Sequence, residues 1–323
     1  MRLLLSALLA VASPLAAADA PKTFVNLTTR GWFTLDPAAA FDAVSFIAVG
    51  NVYEPLIAFK SAAETDVFTP FLASEVPTRD NGLLSEDLRT YRFPIRKGVV
   101  FHEGSTLTPE DVRYSLLRFM LSDVEGGPSG LLLKPVLGVY STRGPDGSLV
   151  LDFKAAAEAV TVDGDAVVVR LAKPDPVFLK VLASQPLVVS KAWAVVHGEW
   201  DGTEATWRSY NNRPVEASAL DTRMNGTGPF RLTSADEKSA HLTLTRHDHY
   251  WRPKAALEEV HLRAEPGRAV RMCKLENGDA DAAYFEAADY FDVSSLSDVQ
   301  GVDSAPGAGL GALISGYTVP AVI

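Results

Sequence analysis

Cysteine is almost missing from this chain. Cys273 is the single one in 323 residues, so no disulfide can close within it. A core of this size needs no such staple. Cys273 falls within 268–275, a predicted short helix, and reads as a small buried hydrophobe rather than a nucleophile. Positive charge is also scarce: 30 Lys and Arg face 40 Asp and Glu, a formal net charge of −10. That balance disfavours nucleic acid and anionic membrane surfaces as partners. The apolar run Leu3–Ala12 falls short of the roughly 20 residues that span a bilayer. The motifs of catalysis are missing too: no nucleophile elbow, zincin helix, P-loop or dinucleotide fingerprint occurs. Gly226-Thr227-Gly228 lacks a third glycine and opens a strand, so it is no phosphate cradle. His247 and His249 flank Asp248, but two histidines without further nearby ligands make no metal site. Asp279 and Asp281 give no placed acid–base pair. No cofactor is implied.

The composition that remains is ordinary for a globular protein, at 47% apolar and 22% charged residues. The length allows a large core and two lobes. The first 18 residues read as a secretory signal: Arg2, the apolar Leu3–Ala12 run, then Ala16-Ala17-Ala18 for cleavage before Asp19. An exported, periplasmic protein is therefore expected, with no cysteine near the cleavage site for a lipid anchor. No internal repeat is present.

Residues 91–118 carry the clearest local signals. Tyr91, Phe93 and Ile95 alternate with polar residues and Pro94, which predicts a strand with one apolar face. Pro94 cannot donate to a ladder, so an edge strand is expected. Thr108 suits an N-cap, Pro109 the first helical position and Asp111 a capping box. Val112, Leu116, Phe119 and Met120 then repeat at helical spacing.

Elsewhere, Thr23–Thr29 reads as a strand, and a helix is predicted from about Asp42 to Tyr53, ended by Pro55. Asp146-Gly147 and Asp163-Gly164 mark turns, the second inside a hairpin of β-branched residues. Trp200–Pro214 reads as a polar loop with two tryptophans. Trp207 and Tyr210 in it either stack on a ligand or simply pack. Strands are expected at Phe230–Thr233, Leu242–Arg246 and around Val260 and Leu262. The stretch 305–323 shows no convincing element over its last residues.

The 91–118 segment closely resembles the signature of the family 5 bacterial solute-binding proteins, the peptide- and nickel-binding subunits of ABC importers. The matching residues are Tyr91, Phe93, Ile95, Arg96, Lys97, Gly98, Val99, Phe101, His102 and Gly104, then Thr108, Glu110, Asp111, Val112, Tyr114 and Ser115. Glu103 stands where the family usually has Asp. Further matches are Leu35-Asp36-Pro37; Asn51, Tyr53, Glu54 and Leu56; Pro70–Glu75; Gly226–Phe230; Tyr250-Trp251; and Arg268–Asp281. The resemblance covers roughly residues 24–290.

It implies an α/β chain with the type II periplasmic-binding-protein fold. Lobe one would comprise 19–56 and 225–304, and a small extra α/β domain 57–224, with 305–323 an irregular end. The second lobe is expected to be missing. The implied function is binding of a peptide or other small solute in a cleft, without chemistry, and delivery to ABC transporter permease subunits. A monomer is expected. By position in the family, Phe41, Asp42 and Ala43 lie at the cleft. Asp42 either pairs with a ligand amine or only N-caps the next helix. Gly226, Thr227 and Gly228 lie near the hinge and either approach the ligand or form a structural turn. Two other readings stay open: a transport-incompetent truncated product of such a gene, and an exported hydrolase.

Overall fold

A computed structural model describes residues 22–61, 64–185 and 187–285. The expected signal segment and the 305–323 stretch lie outside the described residues. In chain order the elements are β1 (Thr23–Thr28), α1 (Ala43–Val52), β2 (Ile57–Ser61), β3 (Glu64–Pro70), β4 (Thr90–Pro94), α2 (Pro109–Ser122), α3 (Gly130–Leu137), α4 (Phe153–Ala159), β5 (Val160–Asp163), β6 (Ala166–Arg170), α5 (Phe178–Ser184), α6 (Lys191–Val196), β7 (Phe230–Asp236), β8 (His241–Arg246), β9 (Glu259–Ala264), α7 (Arg268–Glu276) and β10 (Ala282–Ala283).

Strands from the two ends of the described chain make one mixed sheet of order β10-β1-β9-β8-β7. β1 runs parallel to both β10 and β9, while β8 is antiparallel to β9 and β7. Alternation sets its faces. Leu242 pairs with Leu262 and Leu244 with Val260, and all four are buried in the same core as Phe24, Val49 and Val52. Leu27, three residues after Phe24, points the other way and packs with Ala283, Phe285, Met272 and Leu275.

The chain between β1–α1 and β7 builds the β2–β3 hairpin, a three-stranded sheet of order β4-β6-β5, and helices α2 to α6. β4 is a terminal strand of its sheet, which accommodates Pro94. The β5–β6 turn closes at Asp163 and Ala166, with Gly164 at φ +61°, the left-handed region that suits glycine. The capping box of α2 is formed in both directions, Asp111 N–H to Thr108 Oγ1 at 3.3 Å and Thr108 N–H to Asp111 Oδ2 at 2.9 Å. Past its cap, α2 is buried on nearly every side, including Tyr114, Ser115 and Arg118. An all-round buried helix is a core helix, and one apolar cluster runs from Phe24 through Phe93, Phe119 and Trp207 to Leu242.

Two expectations are corrected. Cys273 is exposed. α7 turns Met272 and Leu275 towards the sheet and buries Arg271, whose guanidinium donates to the carbonyls of Glu265, Pro266 and Tyr284; Cys273 falls on the outer side. The 200–214 stretch is not a solvated polar loop, because Trp200 and Trp207 are both buried and 207–210 is a short 3-10 helix. Its polar residues bond inward: the Asn211 side chain donates to Leu121 O and Thr142 Oγ1, both at 2.8 Å.

The C-terminal end of α1 abuts Gly226–Gly228. Gly228 N–H donates to Val52 O at 2.9 Å. A Cβ on Gly226 would sit 1.9 Å from Val52 O, and one on Gly228 would lie 2.7 Å from Asn51 O and Val52 O. Helix backbone cannot move aside cheaply. By contrast, Gly50 inside α1 has open space where a Cβ would go. Gly226→Ala is therefore expected to destabilise the chain by about 3 kcal/mol or more, whereas Gly50→Ala stabilises it by about 0.5–1 kcal/mol. Urea unfolding of both variants checks this, and a Gly226→Ala midpoint equal to wild type contradicts the packing.

Candidate functional site

In α/β sheets, ligands bind beyond the carboxyl ends of parallel strands. At that end of β1 the chain enters the loop 29–42, which is tightly held. Phe33 N–H and Thr34 N–H both donate to Ser45 Oγ, at 2.9 and 3.1 Å. Ala38 N–H donates to Asp36 Oδ1 at 2.9 Å, and Ala39 and Ala40 N–H donate to Asp36 O.

Asp36 is in turn gripped by Arg118 of α2. Arg118 Nη1 and Nη2 donate to Asp36 Oδ1 and Oδ2, both at 2.6 Å, and Nη2 also donates to Glu199 Oε2 at 2.7 Å. Arg213 caps Glu199 from the other side at 3.0 Å, and Ser218 Oγ donates to Asp36 Oδ2 at 2.6 Å. All three central side chains are buried. Burial pushes the Asp36 carboxyl upward, but the Arg118 charge and the bonds from Arg118, Ser218 and Ala38 outweigh it, leaving the group below the usual carboxylate range. Glu199 is held low in the same way, burial being overcome chiefly by Arg118.

With the loop core anchored, its aromatics are left outside: Phe33 is 61% and Phe41 58% exposed. They line a groove of about 190 Å³ together with Asp42 and 124–127. Phe33 also borders a second groove of about 280 Å³ with Trp32, Glu216, Asp221 and Glu237. Each is smaller than the roughly 300–1,000 Å³ typical of enclosed ligand sites. Together they form a wall rather than a closed pocket.

Asp42 Oδ1 accepts from Val44 and Ser45 N–H, both at 3.1 Å, so it N-caps α1, while Oδ2 has no partner. Asp221 Oδ1 is likewise unpaired. Burial, then the negative charges of Asp36, Glu216 and Glu237, raise the Asp221 pKa against a hydrogen bond from Thr34.

The residues singled out from sequence are not brought together. Phe41 and Asp42 line the first groove; Ala43 is exposed as the first residue of α1 but does not line it. Trp207 is buried, 6.2 Å from the Phe153 ring, which leaves it no face for a ligand and withdraws the stacking role. Tyr210 donates to Gly198 O at 3.3 Å and lies under the Arg213 guanidinium at 4.3 Å. Gly226 and Gly228 serve the contact with α1, and Thr227 Oγ1 donates to Glu54 Oε2 at 2.6 Å. Glu54 also accepts from Tyr250 and Trp251, at 2.5 and 2.8 Å, and burial carries its pKa up to about 7 against these bonds. Sequence reasoning missed Trp32, Phe33, Glu216, Asp221 and Glu237. The signal available was two aromatics just beyond a strand with no apolar period to bury them. Among the described residues, no three metal-ligating side chains converge, and no helix is long and apolar enough to cross a membrane.

The anchored loop, the glycine block on α1 and the buried Tyr53-Glu54 pair each belong to segments already matched in sequence to one family. A profile of the bacterial extracellular solute-binding proteins, family 5 middle region, matches residues 67–314. The chain belongs to that family. Among its relatives, heme-binding protein A of Haemophilus influenzae is 26% identical over 281 residues, 84% of this chain and 45% of that protein. The peptide transport periplasmic protein SapA of Salmonella typhimurium is 26% identical, covering 89% of this chain and 50% of its own length. The α/β fold matches solved family structures: HbpA2 of Haemophilus parasuis superposes with a TM-score of 0.64 at 24% identity, over 86% of this chain and 50% of that one. DppA of Helicobacter pylori, in complex with the peptide STSA, gives 0.62 at 20% identity, over 86% and 49%. The chain thus spans about half the length of the relatives it matches.

The family's histidine, His102, lies beneath the glycine block. Its Nε2 donates to Gly228 O at 2.9 Å, its ring centroid is 4.8 Å from that of His247, and Arg231 lies nearby. Burial, with these positive neighbours, lowers its pKa from 6.5 to about 3 in spite of the Gly228 bond. The unfolded chain therefore takes up a proton that the folded chain refuses, and stability is lost as pH falls below about 6.5, down to about 3. Between pH 6 and 4, wild type is expected to lose stability faster than His102→Gln, by up to about 1.4 kcal/mol per pH unit. Parallel stability curves in urea titrations at these pH values contradict the assignment.

Proposed function

We propose that this chain forms one wall of the ligand cleft of a periplasmic solute-binding component, which takes up a peptide or peptide-like solute and passes it to an ABC permease. The observation that carries the reading is the pair of exposed aromatics, Phe33 and Phe41, on a loop held from beneath by buried hydrogen bonds. Exposed rings offer apolar contact to the side chains of a bound peptide. The names of several relatives point the same way: SapA, and the oligopeptide-binding protein OppA and dipeptide-binding protein DppE of Bacillus subtilis. These relatives are named for binding and transport, in keeping with a non-enzymatic role. The apolar segment after Arg2 supports export.

Enclosed ligands have about 70–90% of their surface covered, and a wall alone covers far less. Calorimetric titration with a tetrapeptide pool is therefore expected to give a roughly millimolar Kd, about −4 kcal/mol. Phe41→Ala is expected to abolish binding without moving the unfolding midpoint. No binding at several millimolar contradicts the site, and unchanged binding by Phe41→Ala contradicts its location.

A further inference from the structure

We propose that His241 and His261 form a site for a divalent transition-metal ion of right-angled coordination, with Cu2+ the best fit. The site lies on the sheet face opposite the α1 core and does not depend on the peptide-binding reading above. Strand alternation sends Leu242, Leu244, Val260 and Leu262 into that core, which turns His241, Thr243, Glu259, His261 and Arg263 to the other face. The register pairs Thr243 with His261 and His241 with Arg263, so the two histidines are diagonal neighbours on adjacent strands. Both are partly exposed. His241 Nε2 lies 3.0 Å from His261 Nδ1, and Thr243 Oγ1 lies 3.5 Å from the same His261 nitrogen.

Glu259 Oε2 stands 3.4 Å from the other ring nitrogen of His261, Nε2. This carboxylate draws the ring proton to Nε2 and leaves the Nδ1 lone pair facing His241, the arrangement by which an outer carboxylate orients a metal-ligating histidine. Without metal, one proton bridges the pair, with His241 Nε2–H donating to His261 Nδ1. A metal ion takes the place of that proton, and His241 carries its own proton on Nδ1 instead. Two nitrogens each about 2.1 Å from a shared ion stand about 3.0 Å apart when the angle between them is about 90°, whereas tetrahedral ligation spreads them to about 3.4 Å. Right-angled ligation by imidazole is the preference of Cu2+ and, after it, Ni2+. The Thr243 hydroxyl and water complete the shell. Burial, then the charges of Arg263 and His261, hold the His241 pKa below its ordinary value against the pull of Asp236, so its ring is neutral at neutral pH. The opposing group is Arg263, whose Nε lies 3.4 Å from His241 Nε2. Its exposed side chain can swing into solvent, but its charge weakens the binding of a cation.

The test titrates the full chain, free of any affinity tag, with Cu2+ by calorimetry in a weakly coordinating buffer at neutral pH. Binding is expected at one ion per chain through this pair. His241→Ala and His261→Ala are each expected to weaken it by about ten-fold or more, and Glu259→Gln by about ten-fold, the loss typical of an outer-shell partner. Arg263→Gln is expected to tighten it about two- to five-fold by removing an exposed like charge. His249→Ala, an exposed histidine beyond the end of β8, is expected to leave it unchanged. Saturating Cu2+ should also raise the urea midpoint of wild type and not that of His241→Ala, since the ion binds the folded pair. No binding at about 1 mM Cu2+ overturns the proposal, as does undiminished affinity in either histidine-pair variant, or a loss in His249→Ala equal to theirs. Metal-free urea midpoints check that the variants fold. Where a histidine variant does not, Glu259→Gln and Arg263→Gln decide, and unchanged affinity in both overturns the site.

Discussion

The buried fork of Arg118 onto Asp36 and Glu199 is the constraint on which the rest of this structure depends. It joins the loop after the first strand, the central helix α2 and the segment leading back to the main sheet, three stretches far apart in sequence. Two carboxylates and a guanidinium out of water would be costly if any partner were missing. Here the fork is bidentate, and Arg213, Ser218 and the Ala219 N–H fill remaining acceptor sites. The cost of desolvation is thereby largely offset, Arg118 Nε being the one guanidinium nitrogen left buried without a partner.

A second buried acid solves its problem differently. Glu54 has no cation in direct contact; it is surrounded by hydroxyl and indole donors from Thr227, Tyr250 and Trp251, and its pKa rises to about 7. It holds the glycine block against the end of α1, while the Arg118 fork holds the loop at the start of that helix. α1 is thus pinned at both ends by polar contacts. Phe33 and Phe41 of the loop are left on the surface. That places an apolar, acidic wall at the carboxyl end of β1, where a family built around a ligand cleft would use it.

Much of this was legible in sequence where the signal is local. The capping box of α2 needs only Thr108, Pro109 and Asp111, and the edge position of β4 follows from Pro94 lacking a donor. The glycine block announced a close approach, although not that helix α1 is what approaches. What escaped was non-local. Nothing near Arg118 in sequence shows that its partners lie 82 and 81 residues away, so a charged residue on a core helix gave no hint of burial. Trp207 sits among polar neighbours and still packs inside, because those neighbours bond inward. Cys273 is outside because three other side chains of its short helix use the inner face. Of the residues that line the two grooves, Phe41 and Asp42 were expected at a cleft from family position, while Trp32, Phe33 and the neighbouring carboxylates became visible only once the fold drew separate segments together.

The central claim is that Arg118 and Asp36 act as one unit in holding the loop 29–42. A double-mutant cycle of Asp36→Asn and Arg118→Met, read by urea unfolding at pH 7, measures it directly. The account predicts a coupling energy of about 2–3 kcal/mol. Additive effects, with coupling below about 0.5 kcal/mol, would show that the loop is held by something else.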